Sequence, residues 1–143
     1  MELRHRDRYL DHLAGVPMFA ELDRDDLALV ARNSTEINFA EGEVLMNEGD
    51  PAAEFFVILE GQAKVMRDGQ EVATLGPGDF AGELALLQHR ARNATVTATT
   101  PMTALVLNRR EFSSLLDQLP GFERKILRAM ATRLAVVDVH TIH

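Results

Sequence analysis

The spacing of hydrophobic and polar residues changes twice along the chain, and this divides it into three parts. Residues 2–14 carry apolar side chains at intervals that predict a short amphipathic helix, which Gly15 and Pro17 end. A second helix is predicted over residues 24–33, with Asp23 as its N-cap and acidic residues in its first turn. The first part, residues 1–34, is therefore predicted to be helical.

From Thr35 to residue 107 the apolar residues alternate or form short runs, as in β-strands. Asp68-Gly69 is the strongest hairpin signal in this part. Short strands at even spacing, separated by glycine turns, are typical of a jelly roll or barrel. Strands are predicted around Ile37 to Phe39, Val44 to Leu45, Phe55 to Leu59, Ala63 to Met66, Val72 to Leu75, Phe80, Thr95 to Thr99 and Thr103 to Leu107.

After residue 107 the helical period returns. Asn108 is predicted to cap a helix that Pro120-Gly121 ends, and residues 122–139 are predicted to form a long final helix. The apolar stripe of that helix is wide, which favours burial against the barrel on one side and against a second subunit on the other. We therefore expect a homodimer formed through the C-terminal helix.

These elements predict one α+β domain over residues 1–143. Its centre is an eight-stranded β jelly-roll barrel over residues 35–107, which includes a short helix within residues 80–98. N-terminal helices precede the barrel, and two C-terminal helices follow it over residues 108–143.

Composition and charge narrow the range of functions. The 143 residues contain no cysteine, which excludes disulfides and thiolate sites. No apolar run is long enough to span a bilayer and the N-terminus has no signal-peptide pattern, so we expect a cytoplasmic protein without membrane contact. A net charge of −7 gives no general attraction for nucleic acid, and a phosphate ligand would need a locally built positive site.

The segment Phe80–Ala98, with the sequence FAGELALLQHRARNATVTA, contains the residues suited to such a site. Gly82 allows a sharp turn out of a strand, and the N–H groups of a following helical turn could bind an anion. Glu83 could accept hydrogen bonds from a sugar hydroxyl, and Arg92 could bind a phosphate with two parallel hydrogen bonds. In the alternative, Glu83 only complements the helix dipole and Arg92 forms a surface ion pair with it.

This segment resembles the phosphate-binding cassette of the cyclic nucleotide-binding domain family. The resemblance rests on Gly82-Glu83-Leu84-Ala85-Leu86 and Arg92-Asn93-Ala94-Thr95-Val96, and it extends to VPMFAELDRDDL at 16–27, to EGEVLMNEGDPAAEFFVILEGQAKV at 41–65 and to PGDFAGE at 77–83. It implies that Glu83 binds the ribose 2′-hydroxyl and that Arg92 binds the cyclic phosphate, with N–H groups near Ala85 and Asn93. It also implies a ligand-binding set of Gly82, Glu83, Leu84, Ala85, Arg92, Asn93, Ala94, Thr95, Val65 and Leu75, with Val96 as a further lining residue.

The segment departs from the family pattern at two positions. Ala91 stands where the family often has proline, so the loop is expected to be less rigid and Arg90 becomes a candidate second anion contact. Asn93 stands where Ala, Ser or Thr is usual, and it could either bond guanine or face solvent. We expect cAMP to be preferred over cGMP, with Arg124, Arg128, Arg133 or Met130 of the final helix as candidate contacts to the base.

The resemblance implies a non-catalytic regulatory module that passes ligand binding through its C-terminal helices to an effector protein or domain. It implies no metal, no cofactor other than the ligand, and no nucleic-acid binding by this chain alone. One alternative is a fragment of a transcription regulator whose DNA-binding part lies elsewhere. Another is an interaction domain of the same fold without a ligand, and a third is a cupin-type barrel enzyme, which the absence of histidine from the predicted strands disfavours.

Overall fold

The computed structural model describes residues 10–11, 13–16, 19–51, 54–82, 92, 94–128 and 131. The elements follow the predicted order of helix, strands and helices. They are α1 (Arg24–Arg32), β1 (Thr35–Phe39), β2 (Val44–Met46), β3 (Glu54–Glu60), β4 (Ala63–Arg67), β5 (Gln70–Leu75), β6 (Phe80–Ala81), β7 (Thr95–Ala98), β8 (Met102–Asn108) and α2 (Arg109–Gln118). Residues 10–11, 13–14 and 120–128 are also helical.

The strands form two four-stranded antiparallel sheets. One has the order β1-β8-β3-β6 and the other the order β2-β7-β4-β5. The eight predicted strands are present, and the hydrogen-bonded ladders stay within each sheet, so the described strands do not close into one continuous barrel. The more detailed jelly-roll assignment stays a prediction.

The hairpin between β4 and β5 is formed as predicted. Asp68 and Gly69 both have positive φ, at 53° and 78°, which is the conformation of a type I′ turn. Arg67 and Gln70 pair directly beside this turn. The two-residue Asp-Gly signal thus sets the register of the hairpin.

Side-chain caps fix where the helices begin. The Asp23 carboxylate accepts a hydrogen bond from the Asp26 N–H, as predicted. Asn108 and Glu111 form a reciprocal capping box at the start of α2. The next helix begins at Pro120, two residues before the predicted start, because the first turn of a helix tolerates a residue without an N–H. The predicted helical residues 129–130 and 132–139 lie outside the described part.

Strand β3 separates two hydrophobic clusters, because its successive side chains point to opposite faces. Phe55, Val57 and Leu59 belong to a cluster shared with the helices. Phe56 and Ile58 belong to a cluster between the two sheets. Both faces of β3 are therefore buried, which explains why its sequence is a continuous apolar run.

Candidate functional site

The main chain of Arg92 is anchored to the turn between β2 and β3. The Arg92 N–H donates to the Asp50 carbonyl at 2.8 Å, and the Gly49 N–H donates to the Arg92 carbonyl at 2.8 Å. The two bonds set two successive residues, Gly49 and Asp50, opposite the single residue Arg92, as in a β-bulge that begins with a positive-φ glycine. They fix the direction in which the Arg92 side chain leaves the backbone.

The Arg92 side chain is buried, with the residue only 5% exposed, and it is the one buried charged residue among those described. Its Nη2 donates to the Glu54 carbonyl at 2.5 Å, and its Nη1 donates to the Gly82 carbonyl at 3.3 Å. These bonds orient the guanidinium, but a carbonyl oxygen carries no net charge. A guanidinium has five N–H donors and can therefore bond two carbonyls while it also faces an anion.

An aromatic ring lies beside this guanidinium. The Cζ atom of Arg92 is 5.9 Å from the centroid of the Phe56 ring. Phe56 is 3% exposed, and its ring forms a T-shaped pair with Phe39 at a centroid distance of 6.5 Å. The guanidinium thus lies at one end of the hydrophobic cluster between the sheets.

Gly82 is the point where the chain leaves β6, and it makes room for Arg92. Its φ of +95° is a conformation that residues with side chains rarely adopt. A Cβ at this position would lie 2.6 Å from the Glu54 carbonyl oxygen and 2.7 Å from Arg92 Nη1. Glycine is therefore required here both by the turn and by the close approach of the guanidinium.

The predicted lining residues Val65, Leu75, Thr95 and Val96 lie on strands of the β2-β7-β4-β5 sheet. Val65 pairs with Val96 across β4 and β7, and both contribute to the cluster between the sheets. Leu75 is partly buried against this cluster, and Ala94 is 3% exposed. The Thr95 hydroxyl accepts a hydrogen bond from the Glu48 N–H at 2.9 Å, which ties β7 to the turn after β2.

Several predicted site residues lie outside the described part of the structure, and so does the predicted short helix. They are Glu83, Leu84, Ala85 and Asn93, together with Arg90, Ala91, Met130 and Arg133. Their roles stay predictions. Of the candidate base contacts, Arg124 and Arg128 lie on the exposed side of the helix over residues 120–128.

The alternative placed Arg92 at the surface, and this part of it is wrong, because the residue is buried. The predicted pairing with Glu83 lies outside the described residues. Among the contacts of Arg92 that were missed from the sequence are those with Phe56 and with the carbonyls of Glu54 and Asp50. In the sequence, residues 48–51 predict only a turn, and Phe55-Phe56 predict only a strand. A pattern of residue types does not show which distant segment a carbonyl will face.

No helix within the described ranges has the length and apolar character needed to cross a membrane. In the same ranges, no three side chains of the metal-binding types come together.

The comparisons with a family model, with curated proteins and with solved structures agree on one family. The family model of the cyclic nucleotide-binding domain matches residues 36–119. A cAMP-dependent protein kinase regulatory subunit from Hypocrea atroviridis is 30% identical over 138 residues, which cover 96% of this chain and 30% of that protein. The chain thus spans less than a third of the length of this curated relative.

Two solved structures illustrate the likeness. The structure of cAMP-bound PfPKA-R (residues 141–441) is 28% identical with a TM-score of 0.85, and the match covers 97% of this chain and 48% of that one. The regulatory subunit of a cAMP-independent protein kinase A from Trypanosoma brucei is also 28% identical, with a TM-score of 0.79, and the match covers 89% of this chain and 46% of that one. This chain belongs to the cyclic nucleotide-binding domain family.

Proposed function

We propose that this chain is a non-catalytic regulatory module that binds a cyclic nucleotide, with cAMP preferred over cGMP. The observation that carries the proposal is the buried Arg92, held by the carbonyls of Glu54 and Gly82 within the segment that matches the family cassette. Burying a charged side chain is costly, and most arginines remain at the surface. Placing the charge beside a bound phosphate gives a functional reason for that cost.

In the proposed complex Arg92 binds the cyclic phosphate. Glu83 accepts a hydrogen bond from the ribose 2′-hydroxyl, and N–H groups near Ala85 and Asn93 complete the phosphate shell. Gly82 makes room for the Arg92 guanidinium, Ala94 lines the pocket, and the remaining contacts are apolar side chains or methyl groups. These come from Val65, Leu75, Leu84, Thr95 and Val96. A charge-assisted hydrogen bond between the Arg92 guanidinium and the phosphate would contribute on the order of 1.5–3 kcal/mol to binding.

The two solved relatives differ in how strongly they support cAMP as the ligand. The solved PfPKA-R is described as bound to cAMP, which is the ligand proposed here. The Trypanosoma brucei subunit belongs to a kinase described as cAMP-independent, although its TM-score is 0.79. Likeness of fold therefore does not by itself determine the ligand, and the preference for cAMP is tested below by titration.

We also propose that ligand binding is transmitted through the C-terminal helices. The Phe55 ring packs against Phe112 of α2 at a centroid distance of 4.6 Å and against Phe122 at 6.2 Å. Its neighbour Glu54 supplies the carbonyl that accepts from Arg92. A movement of β3 at the ligand site would therefore be passed to the helices through Phe55. The ligand can shift the equilibrium between the two arrangements only by the difference in its affinity for them.

A homodimer through the final helix is part of the same proposal. Leu127 is 54% exposed on the helix over residues 120–128, where a second subunit could cover it. The effector would be a partner protein or an attached domain, since the chain spans about half of the solved PfPKA-R chain.

Calorimetric titration of the full chain with cAMP and with cGMP tests the proposed function. We expect cAMP to bind with a Kd below about 100 µM, which corresponds to roughly −5.5 kcal/mol, and cGMP to bind more weakly. If neither nucleotide binds below that limit, the chain is instead an interaction domain of this fold. If cGMP binds more tightly, only the assignment of the base is wrong.

A further inference from the structure

We infer that Phe56 is a positioning residue for the anion site, whose ring holds the Arg92 guanidinium in place and strengthens its interaction with the phosphate. The inference rests on the proposed function, because it concerns the same arginine. It adds a residue that does not touch the ligand and that lies outside the cassette.

The geometry supports a cation–π contact. The Arg92 Cζ lies over the Phe56 ring at 5.9 Å from the centroid, which is within the range of about 6 Å for such contacts. The face of an aromatic ring carries negative charge density that attracts a cation. With both residues buried, water screens this attraction less than it would at the surface.

The Phe56 ring is itself held in place. It forms a T-shaped pair with the Phe39 ring at an interplanar angle of 68°, and it packs in the cluster between the sheets. Strand β3 also supplies the Glu54 carbonyl that accepts from Nη2. One strand therefore fixes the guanidinium from two directions, by a hydrogen bond in its plane and by the face of a ring.

This arrangement matters for affinity because a bound arginine loses side-chain freedom. Two hydrogen bonds to carbonyls and a fixed ring restrict the Arg92 rotamer before the ligand arrives, so less freedom is lost on binding. The contribution of the Phe56 ring to affinity should be present only for ligands that carry a phosphate. A ligand without a phosphate makes no use of the guanidinium charge and should be insensitive to the ring's electrons.

Fluorinated phenylalanines incorporated at position 56 test this directly, because fluorine withdraws electron density from the ring face and changes its shape little. With one, two and three fluorines we expect the affinity for cAMP to fall stepwise, by about threefold to tenfold in total. The affinity for adenosine should change by less than about twofold. In an Arg92→Gln background the fluorine series should have no effect on either ligand.

Two conventional variants provide a matched comparison. Phe56→Leu removes the ring below Arg92, whereas Phe39→Leu loosens the same cluster but leaves that ring in place. We expect Phe56→Leu to weaken cAMP binding by more than Phe39→Leu does, and both variants to bind adenosine like the parent.

Equal effects of the fluorine series on cAMP and adenosine would overturn the inference, and so would a series without effect on cAMP. In both cases the proposed function would stand as long as the parent chain binds cAMP. A parent chain that binds no cyclic nucleotide would overturn the proposed function and this inference together.

Discussion

Replacing Gly82 by alanine should damage the fold and the anion site together. Any L-residue at a φ of +95° is strained, by on the order of 1–2 kcal/mol. The added Cβ would lie 2.6 Å from the Glu54 carbonyl oxygen and 2.7 Å from Arg92 Nη1, so the backbone or the guanidinium must move. Overpacking of this kind costs about 1–3 kcal/mol more. We expect a total loss of about 2–5 kcal/mol.

Gly42→Ala is the matched control, because Gly42 has a φ of +88° and a Cβ added there would meet nothing within 4 Å beyond its chain neighbours. It carries the strain without the clash and should cost about 1–2 kcal/mol. At about 3 °C per kcal/mol for a domain of this size, the melting temperature should fall by about 6–15 °C for Gly82→Ala and by about 3–6 °C for Gly42→Ala.

The same pair of variants should separate in calorimetric titration with cAMP. Gly82→Ala should weaken binding by at least about tenfold, because it displaces the guanidinium, whereas Gly42→Ala should bind like the parent. The reasoning is refuted if the two variants melt at the same temperature and bind cAMP equally well.

Three further variants test other parts of the structure. Asn108→Ala removes the capping box of α2 and should lower the free energy of unfolding by about 1 kcal/mol in chemical denaturation, without a change in cAMP affinity; an unchanged midpoint would contradict the role of the cap. Phe55→Leu should keep cAMP binding but reduce the change that cAMP produces in amide hydrogen exchange over residues 120–128, and an undiminished change would exclude transmission through this ring. Leu127→Glu should shift a dimer towards monomer in light scattering while the fold is kept, and a dimer of unchanged strength would place the interface elsewhere.

Much of the fold could be predicted because local signals were strong. Asp23 and Asn108 cap helices through their own side chains, and Asp68-Gly69 sets a hairpin through its positive φ angles. Each of these features depends on residues that are close together in the sequence. Which strands share a sheet could not be predicted, because the alternation of side chains along a strand does not show which strands pair.

The candidate site, too, could be predicted only in part. The chemistry of Arg92 could be proposed from its residue type and its place in the segment. Its burial could not, because the groups that surround it come from other places in the chain, at Asp50, Glu54 and Phe56. Backbone carbonyls are present at every residue, so only the folded chain shows which ones accept from the guanidinium.

The most direct test of the central claim compares the affinities for cAMP and adenosine in the parent chain and in Arg92→Gln. Adenosine lacks the cyclic phosphate, so the difference between the two affinities measures what the phosphate contributes. We predict that cAMP binds the parent at least about tenfold more tightly than adenosine, and that this difference nearly disappears in Arg92→Gln. A difference of the same size in both proteins would contradict the assignment of Arg92 to the phosphate.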